Sequence, residues 1–116
     1  MYEIKVISEF SGAHNLRHYK GKCEDLHGHN WKVEVSVAGD KLDEIGMIVD
    51  FRQLKEKLNK VLEILDHKLL NDLGFFKKIN PTSENIAKYI YDKLDLNPAK
   101  VTVWETETSA ATYHKS

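Results

Sequence analysis

The chain has a single cysteine in its 116 residues, so no disulfide can form within it. It also lacks a long apolar run and a signal-like apolar N-terminus, which excludes a transmembrane segment and predicts a protein of the reducing cytosol. An excess of one charge is missing too. Seventeen Lys and Arg against eighteen Asp and Glu give a net charge of −1, so the whole-chain field draws neither nucleic acid nor an anionic membrane, and any anion site must be local. With no repeat and no low-complexity stretch, this length predicts one domain, residues 1–116, able to bury one core.

What the chain does have is histidine in a pattern. After Cys23-Glu24-Asp25-Leu26, the residues His27, His29, Trp31, Val33, Val35 and Val37 share one parity, while Gly28, Asn30, Lys32, Glu34 and Ser36 take the other. This is a strand with one apolar face, at whose N-terminal end two imidazoles project the same way, roughly 7 Å apart along the strand. Upstream, Tyr2, Ile4, Val6, Ser8, Phe10, Gly12 and His14 also share a parity, so His14 can end a first strand on its buried face. Three neutral imidazoles leave the fourth position of a tetrahedral zinc ion for water or substrate, the arrangement of a catalytic site.

The connection over residues 15–26 carries Arg17, His18, Lys20 and Lys22, which reads either as a solvated loop or as a phosphate contact. The second strand runs to about Ala38 and breaks at Gly39-Asp40. Asp50 and Gln53 form a capping-box pattern ahead of a helix whose Phe51, Leu54, Leu58, Val61, Leu62 and Leu65 share a face, ending near Leu65. Thr82 caps a second helix, with Ile86, Ile90 and Leu94 a turn apart, ended by Pro98. Residues 100–107 read as a strand, and a last short strand runs through Ala111 to His114. The expected fold class is α+β, a four-stranded antiparallel sheet with both helices on one face.

Three further features bear on chemistry. Asp66-His67 reads either as a helix end, with the imidazole at the negative end of the macrodipole, or as an oriented acid-base pair. Glu105 continues the Val101 and Val103 face, where a lone carboxylate is costly unless hydrogen-bonded, or else the strand has already left the core there. Cys23, with an ordinary thiol pKa of about 8.5, needs a cationic imidazole or a metal nearby to act as a base, and Glu24 and Asp25 work against it if close.

Together these residues resemble a family. Ala13-His14-Asn15-Leu16, Gly21-Lys22-Cys23-Glu24-Asp25-Leu26-His27-Gly28-His29, Gly46-Met47-Ile48-Val49-Asp50-Phe51, Leu65-Asp66-His67, Asn80-Pro81-Thr82-Ser83-Glu84-Asn85 and Trp104-Glu105-Thr106 follow in order. The sequence is similar to the 6-pyruvoyl-tetrahydropterin synthases and their bacterial and archaeal relatives, the 6-carboxytetrahydropterin synthases. The resemblance implies Zn2+ on His14, His27 and His29, Cys23 as the proton-abstracting base, Asp66 and His67 assisting proton transfer, and Glu105 accepting N–H groups of the pterin ring. It also implies the tunnelling fold, in which sheets from several subunits join into a barrel. Active sites then lie between neighbouring chains, typically in a homohexamer of two trimers.

The family substrate is 7,8-dihydroneopterin triphosphate, and the resemblance makes Arg17 and Lys22 the expected triphosphate contacts, on charge alone. The Gly-Lys-Cys-Glu-x-Leu-His-Gly-His setting looks most like the carboxytetrahydropterin branch of queuosine and 7-deazaguanine biosynthesis, which releases acetaldehyde and triphosphate. The pyruvoyl branch, aldolase-like variants, and a zinc- or pterin-binding module without catalysis are the alternatives.

Overall fold

In the computed structural model, which describes residues 1–115, the chain begins with β1 (Tyr2–His14) and β2 (His27–Gly39). There follow α1 (Phe51–Leu65), β3 (Lys68–Leu69), α2 (Ser83–Lys93), β4 (Lys100–Thr106) and β5 (Ser109–Tyr113). The strands form one sheet in the order β3-β1-β2-β4-β5. The four expected strands pair antiparallel, while β3, two residues long, lies parallel to β1 beside Gly12 and Ala13. A two-residue strand has no periodicity from which it could have been read.

The apolar parity of β1 and β2 becomes one face of this sheet. Phe10 lies opposite Trp31, and Val6 opposite Val35, and all four are buried. Leu54, Leu58, Val61, Leu62 and Leu65 of α1 and Ile86, Ala87 and Ile90 of α2 are buried in the same core, with α1 against β1 and α2 against β4 and β5. Phe51 departs from the expected buried stripe, being 55% exposed at the first turn of α1. Asp50 caps that helix by accepting from Arg52 N at 2.8 Å, and among the described residues Gln53 makes no return bond to complete a capping box.

The second helix ends earlier than Pro98. Leu94 closes it, donating its N–H to Ile90 O at 3.0 Å in an extended conformation. The turn keeps Leu94 buried at 6% exposure and lets Ala99 reach β2, where its N–H meets Ser36 O at 2.8 Å. The last strand starts at Ser109 rather than Ala111, because a two-residue turn, Glu107 and Thr108, follows β4 directly. No helix among the described residues is long and apolar enough to cross a membrane.

The core should respond as a packed interior. Leu58 is fully buried, so Leu58→Ala should cost about 2–5 kcal/mol in denaturant unfolding; a cost near zero would mean that α1 does not pack as described.

Candidate active site

The register of the first two strands builds the site. β1 and β2 pair throughout, and His14 lies directly opposite His27 while Gly12 faces His29. The twelve-residue connection therefore does not displace the pairing. His14 is 1% exposed, and its ring packs edge-on to those of His27, His29 and Trp31 at centroid distances of 4.6, 5.3 and 4.9 Å. Trp31, fully buried, is the floor beneath the imidazoles and donates its indole N–H to Gly12 O at 3.1 Å.

Backbone carbonyls orient two of the rings. His14 Nδ1 donates to Pro81 O at 2.7 Å and His27 Nδ1 donates to Asp25 O at 2.8 Å. With the proton on Nδ1, a neutral imidazole carries a lone pair on Nε2, and these two Nε2 atoms lie 3.1 Å apart. Two lone pairs so close repel, and a cation between them would relieve that repulsion. His29 Nε2 is buried without a hydrogen-bond partner, and burial, the main effect, holds this imidazole below its ordinary pKa, with Glu105 opposing and His14 and His27 reinforcing the shift. Neutral imidazoles with converging Nε2 atoms suit a divalent ion.

Glu105 joins this cluster. Its Oε1 is 3.1 Å from His14 Nε2 and 3.4 Å from His29 Nε2, contacts that are not aligned as hydrogen bonds, since His29 Nε2 has no such partner. Potential ligand atoms of His14, His27, His29 and Glu105 all lie within 4.8 Å of one another. Donors bonded at about 2.0–2.1 Å to a tetrahedral ion lie roughly 3.3 Å apart, close to the three short separations observed. The residues therefore fit a metal site. The carboxylate is aimed there by a bulge: the β4–β5 register shifts between Trp104 and Thr106, leaving Glu105 unpaired on β5.

Asp66 and His67 form the pair that the sequence left open. Asp66 closes α1 through its N–H to Leu62 O, and its carboxylate accepts Ser11 N on β1 at 2.9 Å and His67 Nδ1 at 2.9 Å. The Ser11 N–H first, and the His67 imidazole second, hold the Asp66 carboxyl below its usual range. His67 adopts a left-handed backbone, φ 56°, which costs a non-glycine residue about 1–2 kcal/mol. Its N–H bond to Ser11 O at 2.6 Å holds it there. The ring is 79% exposed and, with His29 and Lys68, lines an open cleft of ≈ 480 Å³.

The remaining candidates lie on the connection between β1 and β2. Cys23 is exposed, and among the described residues its thiol makes no hydrogen bond, to His67 or to any other group. Arg17 is turned inward, its guanidinium donating to Ile79 O at 3.2 Å and Asn71 O at 3.1 Å, while Lys22 is exposed. Sequence reasoning missed the carbonyls of Pro81 and Asp25 and the side chains of Asn71 and Asn80. Backbone acceptors leave no trace in residue type, although Asn80-Pro81 stood in a motif without a role.

A T-fold domain with a His/Glu cluster that could hold a metal ion is the class that this sheet and cluster define. Residues 3–116 match the family described as 6-pyruvoyl tetrahydropterin synthase, and the chain belongs to that family of lyases. It is 45% identical to the 6-carboxy-5,6,7,8-tetrahydropterin synthase of Synechocystis, over 97% of this chain and 93% of that protein. It is 36% identical to the Bacillus subtilis protein of the same name, over 97% and 84%. The structure of Caenorhabditis elegans 6-pyruvoyl tetrahydropterin synthase superposes with a TM-score of 0.87 at 32% identity, covering 99% of this chain and 96% of that one.

The ligand set predicts a specific loss. The protein should bind about one divalent ion per chain, and His27→Ala should lower metal content because two imidazoles make a poor site. His18→Ala and His114→Ala should leave it unchanged. Elemental analysis showing unchanged metal in His27→Ala, or loss of all metal in either control, would mean that the ligands are misassigned.

Proposed function

We propose that the protein is a zinc-dependent 6-carboxy-5,6,7,8-tetrahydropterin synthase of the cytoplasm. It converts 7,8-dihydroneopterin triphosphate to 6-carboxytetrahydropterin with release of acetaldehyde and triphosphate, in the route to queuosine and other 7-deazaguanines. The observation that carries this reading is the convergence of His14, His27 and His29, Nε2 to Nε2, beside Glu105. Relatives bearing that synthase name support the branch. The pyruvoyl branch is the second reading, supported by the fit to the Caenorhabditis elegans structure.

His14, His27 and His29 hold the ion, which when bound supplies a Lewis acid that polarises the side-chain hydroxyls and acidifies the adjacent C–H bonds. Cys23 Sγ, as thiolate, takes a proton from carbon, and His67 Nε2 exchanges protons with side-chain oxygen. Asp66 keeps His67 Nδ1 protonated for this. Glu105 accepts the pterin N–H groups. Lys22, and the Arg17 N–H groups not used on carbonyls, meet the triphosphate, supported by charge alone.

Cys23 and His67 are both exposed and unconnected within one chain, and β1 is unpaired on its outer side before Gly12. Both facts support joined sheets, with the Asp66-His67 pair of one chain reaching Cys23 of its neighbour in a homohexamer of two trimers. Open edges are otherwise a liability. Light scattering should give the hexamer mass; a monomer at working concentrations would remove the shared site.

Mass spectrometry of the products from dihydroneopterin triphosphate should find the 6-carboxy compound; the 6-pyruvoyl product would move the assignment to the other branch, and no turnover would leave a binding module. Cys23→Ala should keep its metal yet lose about a hundredfold or more in turnover. Glu105→Gln should chiefly weaken pterin binding, by about 1–3 kcal/mol, since the amide brings a donor to where N–H groups point. Near-normal turnover of metal-loaded Cys23→Ala, or unchanged pterin affinity in Glu105→Gln, would remove the corresponding role.

A further inference from the structure

The segment Asn80-Pro81-Thr82-Ser83-Glu84-Asn85 takes no part in the chemistry above, yet Pro81 O is the acceptor that orients His14 Nδ1. Around that carbonyl the chain is gripped on both sides. Asn80 Oδ1 accepts Arg17 N at 2.9 Å and its Nδ2 donates to Arg17 O at 3.1 Å, so one amide replaces a rung of sheet pairing just past the end of β1. Asn80 O in turn accepts Asn85 Nδ2 at 2.8 Å and Thr82 N at 2.9 Å. Thr82 Oγ1 accepts Asn85 N at 3.1 Å as the cap of α2. Asn71, buried at 9% exposure, repeats the two-bond grip on Asn15, next to His14, with bonds of 3.0 and 2.9 Å.

The metal ligand and its acceptor lie 67 positions apart in sequence, and each would move with its own segment were they not tied. We propose that Asn80 is a positioning residue for the metal centre. By holding both backbone groups of Arg17 it locks Pro81 O against His14 Nδ1 and keeps this imidazole in the tautomer that presents Nε2. Only a side chain that both donates and accepts can make the two bonds. An aspartate keeps the shape and the acceptor but loses the donor, and an alanine loses both. The inference deepens the metal-site reading and rests on it for its meaning, though its first test needs no metal.

That test is long-range 1H–15N NMR of the metal-free full chain at about pH 8, where an ordinary imidazole is neutral. The wild-type His14 ring should show a single tautomer with the proton on Nδ1, whereas Asn80→Asp and Asn80→Ala should show averaged ring nitrogens. Zinc affinity, read by chelator competition, should fall about 10–100-fold in both variants, the scale found for lost outer partners of metal ligands. A merely structural asparagine would lower the melting temperature and leave both readouts unmoved. If Asn80→Ala fails to fold, the isosteric Asn80→Asp decides. A wild-type ring protonated on Nε2, or wild-type ring shifts in a folded variant, overturns the proposal. A wild-type protein that binds no zinc but shows the tautomer change would instead overturn the metal-site reading and leave the positioning role standing.

Discussion

The site depends on the register of β1 against β2. Because side chains alternate across a strand, a slip of one residue would turn His14 to the opposite face from His27 and His29 and carry the apolar parity of β1 out of the core with it. The same interaction that buries Phe10 against Trp31, rings stacked 5.8 Å apart, therefore decides whether three imidazoles can meet. Folding energy and the placement of the imidazoles are set by one pairing. This is why the cluster can be held on strands, the stiffer elements, although a twelve-residue connection separates its first two members.

A correct register is necessary but does not choose a tautomer. An imidazole whose Nδ1 had no acceptor could place its proton on either nitrogen, and its Nε2–H form would present N–H to a cation. Pro81 O and Asp25 O remove this freedom for His14 and His27 at 2.7 and 2.8 Å. His29 has no such acceptor, but burial disfavours its charged form. Two carbonyls thus fix the tautomers of His14 and His27, while desolvation favours only the neutral form of His29.

Period-two alternation made His14, His27 and His29 legible in the sequence, because regular strands repeat their direction faithfully. Glu105 was only half legible: its parity put it on the right face, but the bulge at Trp104 to Thr106 aims it, and a bulge has no signature in that composition. The stripe of α1 gave its length correctly and overreached at Phe51, since helical spacing continues into a first turn that the core does not cover. Pro98 looked like the end of α2, whereas the chain turns at Leu94 to bring Ala99 back to the sheet, a tertiary demand that no local residue announces. Arg17 was read on charge alone as a phosphate contact, and the fold shows two of its N–H groups already donating to the carbonyls of Ile79 and Asn71, which leaves the others for an anion. Charge type gives a residue's capacity; only the fold says which acceptors reach it first.

The division of the site follows from where each group is held. The imidazoles that could hold a metal ion project from the sheet's inner face, His14 buried and His27 and His29 half-buried. Cys23 and His67, the groups proposed to move protons, are exposed instead. Cys23 stands on its loop between Lys22 and Glu24, and among the described residues its thiol makes no hydrogen bond. His67 is fixed by Asp66 and Ser11 in a strained backbone, with its other nitrogen toward solvent. Strain retained at an exposed residue stabilises nothing within the chain; it is explained if the ring is aimed at something outside it. Joining two such chains would bring the two groups together out of bulk water, so that a pair able to move protons would exist only in the assembled protein, where the substrate rather than water meets it.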